Sequence, residues 1–276
     1  MIGDVQRYMQ GTIQGNVQGN VQKPIIEAID SHCHLDFKHF NKDREAVMEN
    51  ARKAGVIRMI NSGVDYSTNS KSLELVKNYD FISATLGLSP NSIDGKNDPE
   101  IKMILDQIES NASQAVGIGE AGLDYYHTKD APSRERQAEI FKKVIAIAES
   151  LNLPLVIHSR DAEQPALDMV KHLDKVVFHC YSGTLPTMKE AQDRGYYISL
   201  ATNVCRSGHH QILARNVSLD HLLVETDSPF LSPRKGRNEP ANVLDSVRLI
   251  ARIKGLEPQE VAAQTATNTK RIYNIR

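Results

Sequence analysis

The segment Ile29-Asp30-Ser31-His32-Cys33-His34 ends an apolar run in metal-binding side chains, and four later segments repeat this pattern. An apolar run bounded by Gly or Pro is typical of a buried strand. Strands that all end in His, Glu or Asp would bring imidazoles and carboxylates together at one rim of a sheet. Because desolvating so many polar groups without a partner is costly, the pattern predicts a bound cation at that rim. The later segments are 116–120 (VGIGE), 155–158 (LVIH), 176–179 (VVFH) and 222–227 (LLVETD).

The order of these segments favours a (β/α)8 TIM barrel. Apolar stretches predict eight strands, near 25–32, 56–61, 81–87, 115–119, 154–158, 176–180, 195–200 and 221–226. Amphipathic patterns predict nine helices, near 41–54, 67–79, 98–110, 132–151, 161–172, 184–193, 208–215, 241–254 and 257–274. The alternative is an open doubly wound sheet, whose site residues gather near one switch point. Here they come from five strands spread over the whole chain, which only a closed sheet would bring together.

Composition and charge are those of an ordinary globular protein. The chain has 276 residues, of which 40% are hydrophobic and 24% charged, enough to bury a sizeable core. Its net charge of -1 excludes a global basic field that would draw it to nucleic acid, but not an enzyme with a local basic rim. The odd, widely spaced cysteines Cys33, Cys180 and Cys205 predict no disulfide partner and a reducing, cytoplasmic compartment.

The beginning of the chain differs from the rest. Residues 1–22 contain the repeat QGNV at 14–17 and 18–21, and their Gly, Gln and Asn content predicts a low-complexity, poorly ordered extension. A capping strand or an oligomer contact is the alternative. This stretch lacks the apolar core of a signal peptide, and no stretch approaches the roughly 20 apolar residues of a membrane span. Residues 23–276 show no internal linker and are expected to form one domain.

The first half of the candidate metal site comes from the segments at 29–34 and 116–120. His32 and His34 are one residue apart, so in a strand both point to the same face and suit chelation of one ion. Glu120 follows Gly117 and Gly119, small residues that let the backbone and a metal approach closely. Because a carboxylate has two oxygens, Glu120 can bridge two cations.

The second half comes from the three later segments. A lone His at the end of an apolar run is more often a core residue, but His158 and His179 on successive strands favour ligands. Asp227 can ligate a metal and also take a proton from bound water. Four histidines and two carboxylates suit zinc, manganese or another borderline divalent ion. Asp30 is either a ligand or an acceptor that fixes a His tautomer, and Glu225 is expected on the opposite strand face, in a packing or supporting role.

The motifs that carry these residues resemble the TatD family of metal-dependent deoxyribonucleases, in the amidohydrolase-like TIM-barrel superfamily. The resemblance covers roughly residues 26 to 275. It rests on 30–36 (DSHCHLD), 119–125 (GEAGLDY), 158–160 (HSR), 178–183 (FHCYSG) and 225–229 (ETDSP), and on 237–241 (RNEPA), which is similar to the family's loop before its last barrel helix.

The resemblance implies two divalent metal ions, which could be zinc, manganese or magnesium. It assigns to one ion His32, His34, Glu120 and Asp227, and to the other Glu120, His158 and His179. Many amidohydrolase relatives bridge their metals with a carboxylated Lys, and a bridging Glu sets the TatD branch apart.

Two segments depart from the family pattern and indicate a divergent member. The family usually has Gly-x-His-Pro after its third strand, where this chain has Gly87-Leu88-Ser89-Pro90. Since that His lies on the substrate side of the pocket, Ser89 bears on substrate preference rather than on metal binding. Residues 201–206 also differ from the commoner pattern after the seventh strand.

The expected reaction is hydrolysis of a phosphodiester, as in a deoxyribonuclease, by metal-activated water. Glu120 and Asp227 are the expected catalytic residues, with Asp227 as the acceptor of the water's proton. The rim arginines Arg160, Arg206 and Arg237 could hold phosphates, and Asp124 and Tyr125 could shape the pocket. The near-neutral net charge favours DNA or another phosphodiester that is short or single-stranded and held locally.

Two other functions stay open at this level. The same activated water would hydrolyse an ester or amide, such as the ester of an aminoacyl-tRNA, and the loop that contains Ser89 would then decide the substrate. The other is a non-catalytic scaffold on an inherited barrel, which would have no need to keep all six ligands. Metal analysis of the purified protein separates this last function from the others.

Overall fold

Eight parallel strands lie side by side in chain order in the computed structural model, which describes residues 26–276. The strands are β1 (Ala28–Cys33), β2 (Val56–Ser62), β3 (Ile82–Leu88), β4 (Gly117–Asp124), β5 (Leu155–Arg160), β6 (Val176–Phe178), β7 (Tyr197–Leu200) and β8 (Leu222–Val224). Each strand pairs in parallel with the next one along the chain. All eight are buried over most of their length, as expected of parallel strands covered by helices.

Contacts between β8 and β1 bring the two ends of the sheet together. The Asp227 N–H donates to the His32 carbonyl at 3.0 Å. The fully buried Asp30 carboxylate accepts from the Thr226 N–H at 2.8 Å and from the Thr226 hydroxyl at 2.6 Å. Asp30 therefore fastens β1 to the segment after β8, with each of its carboxylate oxygens accepting from Thr226. The predicted TIM barrel is confirmed in nearly closed form.

Helices follow the strands and cover the barrel. Among the described residues they are α1 (Arg44–Ala54), α2 (Tyr66–Asn78), α3 (Asp98–Asn111), α4 (Ala131–Leu151), α5 (Glu163–Met169), α6 (Leu185–Asp193), α7 (Gly208–Asn216), α8 (Val243–Lys254) and α9 (Pro258–Tyr273). Asp65 and Asn97 cap α2 and α3 with reciprocal capping boxes, and Gly55 and Gly255 end α1 and α8 in the left-handed conformation. The nine predicted helices are confirmed, each within three residues of its expected ends.

Four strands that carry candidate site residues end at least two residues away from their predicted ends. β5 runs two residues past 158, and β8 stops two residues before 226, so Asp227 lies in the loop after it. β4 was expected to end at 119 but runs on to Asp124, because residues 121–124 pair with 157–160 of β5. Glu120 therefore lies inside a strand, not at its end. β6 was expected to reach 180 but stops at Phe178, so His179 begins the following loop.

One end of the barrel interior is filled by apolar side chains. Ile60, Val156, Val177 and Leu223 form a buried cluster of their own, and Tyr273 at the end of α9 packs with them. Gly117, the first residue of β4, lies against the Tyr273 ring, which places this ring at the amino end of the strands. The carboxyl end is therefore the end left for polar side chains.

The remaining predictions concern the beginning of the chain, membrane-spanning helices and the cysteines. The expected extension at 1–22 and the first residue of the expected strand at 25 lie outside the described residues. Within residues 26–276, no helix combines the length and apolar character that crossing a membrane requires. Cys33, Cys180 and Cys205 are all free thiols.

Candidate metal centre

All six predicted metal ligands lie at the carboxyl end of the barrel. They come from five places in the chain: His32 in β1 and His34 just after it, Glu120 in β4, His158 in β5, His179 after β6 and Asp227 after β8. The side chains are buried or nearly so, and the Asp227 side chain, at 15% exposure, is among the most accessible of them. Strands far apart in sequence thus deliver their polar residues to one point.

Glu120 lies between two pairs of histidines. Its Oε2 is 3.3 Å from His32 Nε2 and 3.6 Å from His34 Nε2. Its Oε1 is 3.0 Å from His158 Nδ1 and 3.7 Å from His179 Nε2. Each oxygen of one carboxylate therefore faces its own pair of imidazole nitrogens, which is the arrangement that a bridging ligand needs.

The spacing within each pair fits a shared cation. His32 Nε2 and His34 Nε2 are 3.3 Å apart, and His158 Nδ1 and His179 Nε2 are also 3.3 Å apart. Two nitrogens bound tetrahedrally to zinc at about 2.0–2.1 Å would lie roughly 3.3–3.4 Å from each other. Two unprotonated imidazole nitrogens at this distance repel unless a cation or a proton lies between them. The donor set therefore fits the divalent metals that imidazole and carboxylate prefer.

The first pair is oriented by Ser62, the last residue of β2. His34 Nδ1 donates to the Ser62 carbonyl at 2.8 Å, because a carbonyl only accepts, so the neutral form of His34 has its lone pair on Nε2, toward Glu120. His32 Nδ1 lies 3.1 Å from the Ser62 hydroxyl, which itself accepts from Thr85 at 3.0 Å. Both supports are uncharged.

The second pair is oriented by carboxylates. His158 Nε2 lies 3.0 Å from Asp124 Oδ2, and His179 Nδ1 lies 3.5 Å from Glu225 Oε1. A carboxylate accepts only, so Asp124 holds a proton on the outer nitrogen of His158, and the neutral form of this ring has its lone pair toward Glu120. His179 Nδ1 faces the Glu225 carboxylate but has no hydrogen bond with the described residues. Glu225 is also within reach of His32, but it is fully buried and accepts from the Cys180 N–H at 2.7 Å. It therefore supports His179 from behind.

The charges of the site are strongly coupled. Burial alone would raise the pKa of Glu120, but the surrounding histidines, His179 foremost, hold it well below its usual range. Burial and the nearby His179 lower the pKa of His32 to about 3. Burial also acts to lower the pKa of His34, but Asp227 and Glu120 outweigh it and raise the pKa to about 9. An ionised Glu120 and an uncharged His32 are the forms that a metal ion requires.

His158 of the second pair and its supporting carboxylate Asp124 both have pKa values shifted toward the charged form. Burial would lower the pKa of His158, but its hydrogen bonds to Asp124 and Glu120 raise it. The pKa of Asp124 is lowered because His158 and His127 outweigh the opposing effect of burial. Both shifts favour the charged form of the group, which is the expected result for two opposite charges in contact.

Glycine is required directly before Glu120. Gly119 has φ +134°, and a Cβ there would collide with the Val156 carbonyl of β5. A Cβ on Gly87 of β3 would likewise run into the backbone of residues 119 and 120. The strands on both sides thus press against this point of β4 and fix where the Glu120 side chain leaves the backbone.

Ser89 contacts the carboxylate between the histidine pairs. Its hydroxyl donates to Glu120 Oε1 at 3.1 Å, and the residue is buried. From the sequence, this position was expected to bear on substrate preference rather than on metal binding. The contact shows that Ser89 also touches the carboxylate of the candidate bridging residue directly.

The three rim arginines have different surroundings. Arg237 donates to both oxygens of Asp43, at 2.9 and 2.7 Å, and to Glu239 at 2.8 Å. The exposed guanidinium groups of Arg160 and Arg206, in contrast, have no hydrogen bond or ion pair with residues 26–276. Arg160 lies over the Tyr126 ring, with its Cζ 3.9 Å from the ring centroid. Arg160 and Arg206 can therefore accept an anionic partner without first losing one.

Two functional contacts were not singled out from the sequence. The sequence indicates Asp124 only as a residue that shapes the pocket, and it carries no signal for Ser62. Asp124 lies four residues after Glu120 in the same strand, so period-two alternation puts both on one face. That signal was hidden because β4 was expected to stop at 119.

Comparison with known proteins places the whole barrel in one family. Residues 29–274 match the family described as TatD related DNase. An uncharacterized metal-dependent hydrolase of Methanocaldococcus jannaschii is 40% identical over 252 residues, covering 91% of this chain and 98% of that protein. The 3'-5' ssDNA/RNA exonuclease TatD of Erwinia tasmaniensis is 32% identical over 261 residues, covering 89% of this chain and 99% of its own. The crystal structure of a TatD homolog, YjjV from Escherichia coli, superposes with a TM-score of 0.84 at 26% identity, over 91% of this chain and 100% of that one.

Proposed function

This chain belongs to the TatD-related DNase family and is a metal-dependent hydrolase, and we propose that its substrate is the phosphodiester backbone of DNA. The observation that carries the proposal is the position of Glu120, with one oxygen toward each histidine pair. A carboxylate shared in this way suits two cations, and paired cations stabilise both the attacking and the leaving oxygen of a phosphodiester.

We assign two divalent ions to the centre. His32, His34 and Asp227 would hold one ion with Glu120 Oε2, and His158 and His179 would hold the other with Glu120 Oε1. The imidazole-rich donor set favours zinc or manganese over magnesium. When bound, such ions lower the pKa of a coordinated water and stabilise negative charge on phosphoryl oxygens.

Asp227 is the proton acceptor in this proposal. Its Oδ1 faces the first pair, 3.3 Å from His34 Nε2, while its Oδ2 has no hydrogen bond with the described residues. The side chain is 15% exposed, so one oxygen is open to the pocket. Asp227 can therefore stay in contact with the centre through Oδ1 and take a proton at Oδ2.

The substrate would be held by cations at the rim. Arg160 and Arg206 are the better phosphate contacts, since the donors of Arg237 are taken by Asp43 and Glu239. A net charge of -1 favours a short or single-stranded substrate held locally. The single-strand activity in the name of the Erwinia relative supports the same choice. A cytoplasmic location, which the cysteine usage predicts, fits such a substrate.

Nuclease assays on end-labelled single-stranded DNA test the proposal. The protein is stripped of metal and resupplied in turn with magnesium, manganese and zinc, beside an Asp227→Asn control. Cleavage that returns with metal and is absent in the variant is the expected result, and the product ladder gives the direction of attack. No cleavage with any ion, in a protein that binds metal, would contradict it and direct attention to ester or amide substrates.

A further inference from the structure

Two half-exposed aromatic rings lie beside the metal centre, and the reaction described above uses neither. Among the large apolar side chains of residues 26–276 that are exposed, three are aromatic: Tyr66 (45%), Tyr126 (48%) and Phe230 (46%). Tyr66 lines an outer groove with Lys102 and Met103 of α3. The other two belong to the loops that directly follow catalytic segments, Tyr126 after β4 and Phe230 after Asp227.

Tyr126 lies among cations. The Arg160 Cζ is 3.9 Å and the Lys129 Nζ is 5.1 Å from the centroid of its ring. Neither cation has an acidic partner among the described residues, although Lys129 also donates to a backbone carbonyl. The neighbouring His127 connects this loop to the centre, because its Nδ1 lies 2.9 Å from the Asp124 carboxylate that supports the second histidine pair. An aromatic face with unpaired cations matches one base and its phosphate.

Phe230 lies on the other side of the centre. Its N–H donates to the Asp227 carbonyl at 2.9 Å, so the position of the ring is tied to that of the ligand. The ring centroid is 6.5 Å from that of His34 and 6.0 Å from those of Phe37 and His39. Phe230 is thus held by an aromatic cluster on its inner side, while almost half of its surface stays exposed.

The two rings belong to loops on opposite sides of the barrel mouth. In a barrel of eight strands in chain order, β4 and β8 are four positions apart and hence opposite. Glu120 and the histidine pairs lie between them. A chain of nucleotides that crosses the centre would pass one ring on entering and the other on leaving.

We propose that Phe230 and Tyr126 are base-stacking subsites for an unpaired nucleic-acid strand, one on each side of the phosphodiester to be cleaved. This rests on the proposed function and adds what it lacks, the groups that read the bases. Stacking uses the flat face of any base, so it gives a preference for single strands over duplexes without a preference for sequence. Arg160 holds the Tyr126 ring and contributes its charge to the adjoining phosphate.

Phe230→Ala and Tyr126→Ala test the proposal, with Tyr66→Ala as the matched control for removal of an equally exposed ring. Each variant is assayed on a single-stranded oligonucleotide and on the same oligonucleotide with abasic residues on both sides of the scissile bond. We expect a rise in KM of about 5- to 150-fold for each variant on the normal strand, with kcat little changed. On the abasic strand the variants should equal the wild type, and Phe230→Tyr and Tyr126→Phe should restore the normal KM.

Binding separates this proposal from the proposed function. Fluorescence anisotropy of the labelled oligonucleotide with metal-stripped protein requires no turnover. Base-dependent binding without cleavage under any metal would overturn the phosphodiesterase function and leave the stacking subsites standing. Cleavage with an unchanged KM in both variants, or an equal loss on normal and abasic strands, would overturn the subsites and leave the function standing.

Discussion

The two histidine pairs on either side of Glu120 share one spacing but rest on different supports. The pair His32 and His34 is oriented by the uncharged Ser62, whereas the pair His158 and His179 has a carboxylate behind each ring. The first pair has its own carboxylate, Asp227, in direct contact instead. Each half of the centre thus has negative charge in addition to that of Glu120. In the first half it comes from Asp227 in the pocket, and in the second from Asp124 and Glu225, which are buried behind the histidine rings.

This difference suggests separate roles for the two halves of the centre, proton transfer in one and metal retention in the other. A carboxylate in the pocket is available to take a proton, and only the first half has one. Carboxylates behind the rings cannot reach a substrate, but they strengthen the imidazoles as ligands and fix their tautomers. The first half is therefore suited to chemistry and the second to holding a cation firmly.

The largest effect is expected from removing the group that both halves share. Glu120→Gln deletes the negative charge between four histidines and leaves the neighbouring charges unpaired. Breaking a buried charge pair costs about 3–5 kcal/mol, so metal affinity should fall by about 10³-fold in both halves and turnover with it. Calorimetric titration of metal-stripped protein measures this loss. Loss of only one ion, with the other bound normally, would show that Glu120 is not shared.

The supports behind the rings provide the most direct test of the comparison. Asp124→Asn keeps an oxygen near His158 but removes the charge, and such outer supports cost about 10- to 100-fold in metal affinity or activity when changed. Ser62→Ala removes only the hydroxyl and leaves the carbonyl that holds His34. Its metal affinity should therefore fall by about fivefold, which is about 1 kcal/mol. Equal metal affinities of the two variants in the same titration would contradict the division between charged and uncharged supports.

Metal removal should make stability depend on pH. The folded-state pKa of His34 is about 9, against an ordinary value of 6.5, so folding binds a proton more tightly. Its contribution, about 3 kcal/mol, is fully present below pH 6.5 and is lost as the pH rises through 9. Urea unfolding in chelator between pH 6 and 10 measures the decline, which Asp227→Asn should reduce because Asp227 is the main cause of the shift. A flat profile in the metal-free wild type would contradict this assignment.

The smallest effects are expected at the rim, where the two halves also differ. Arg160, beside the second pair, is unpaired, so Arg160→Ala should raise KM for DNA by about tenfold while leaving folding stability unchanged. Arg237, on the first side, is held by Asp43 and Glu239, so Arg237→Ala should lower stability by at most about 1 kcal/mol with KM nearly unchanged. Steady-state kinetics and urea unfolding of both variants check the pair. A tenfold rise in KM for Arg237→Ala, with KM unchanged for Arg160→Ala, would show that the substrate is held on the side of the first pair instead.

The barrel and the meeting of the six candidate ligands were predictable because both depend on local pattern. Apolar runs and amphipathic stretches mark each strand and helix, and the parallel order of strands sends every strand end to one face. His32 and His34 follow from period-two alternation alone. That all six residues meet around Glu120 depends on closure of the sheet, which the spread of ligands over five strands already indicated.

The supports were harder to predict because they depend on register. The Asp124 contact exists because β4 continues beside β5 to Asp124, which brings that residue opposite Arg160 and close to His158. The sequence also could not show which rim arginine has an acidic partner. Arg160, Arg206 and Arg237 look alike in the sequence, and only the fold shows that Arg237 is paired with Asp43 and Glu239. Local pattern thus specifies which residues reach the centre, and pairing between strands specifies what holds them there.

The most direct test of the centre is a crystal structure of the metal-loaded protein with anomalous data at the edge of the bound metal. We predict two anomalous peaks, one between Glu120 Oε2 and the pair His32 and His34, the other between Glu120 Oε1 and the pair His158 and His179. A single peak, or two peaks that do not share Glu120, would contradict the centre described here.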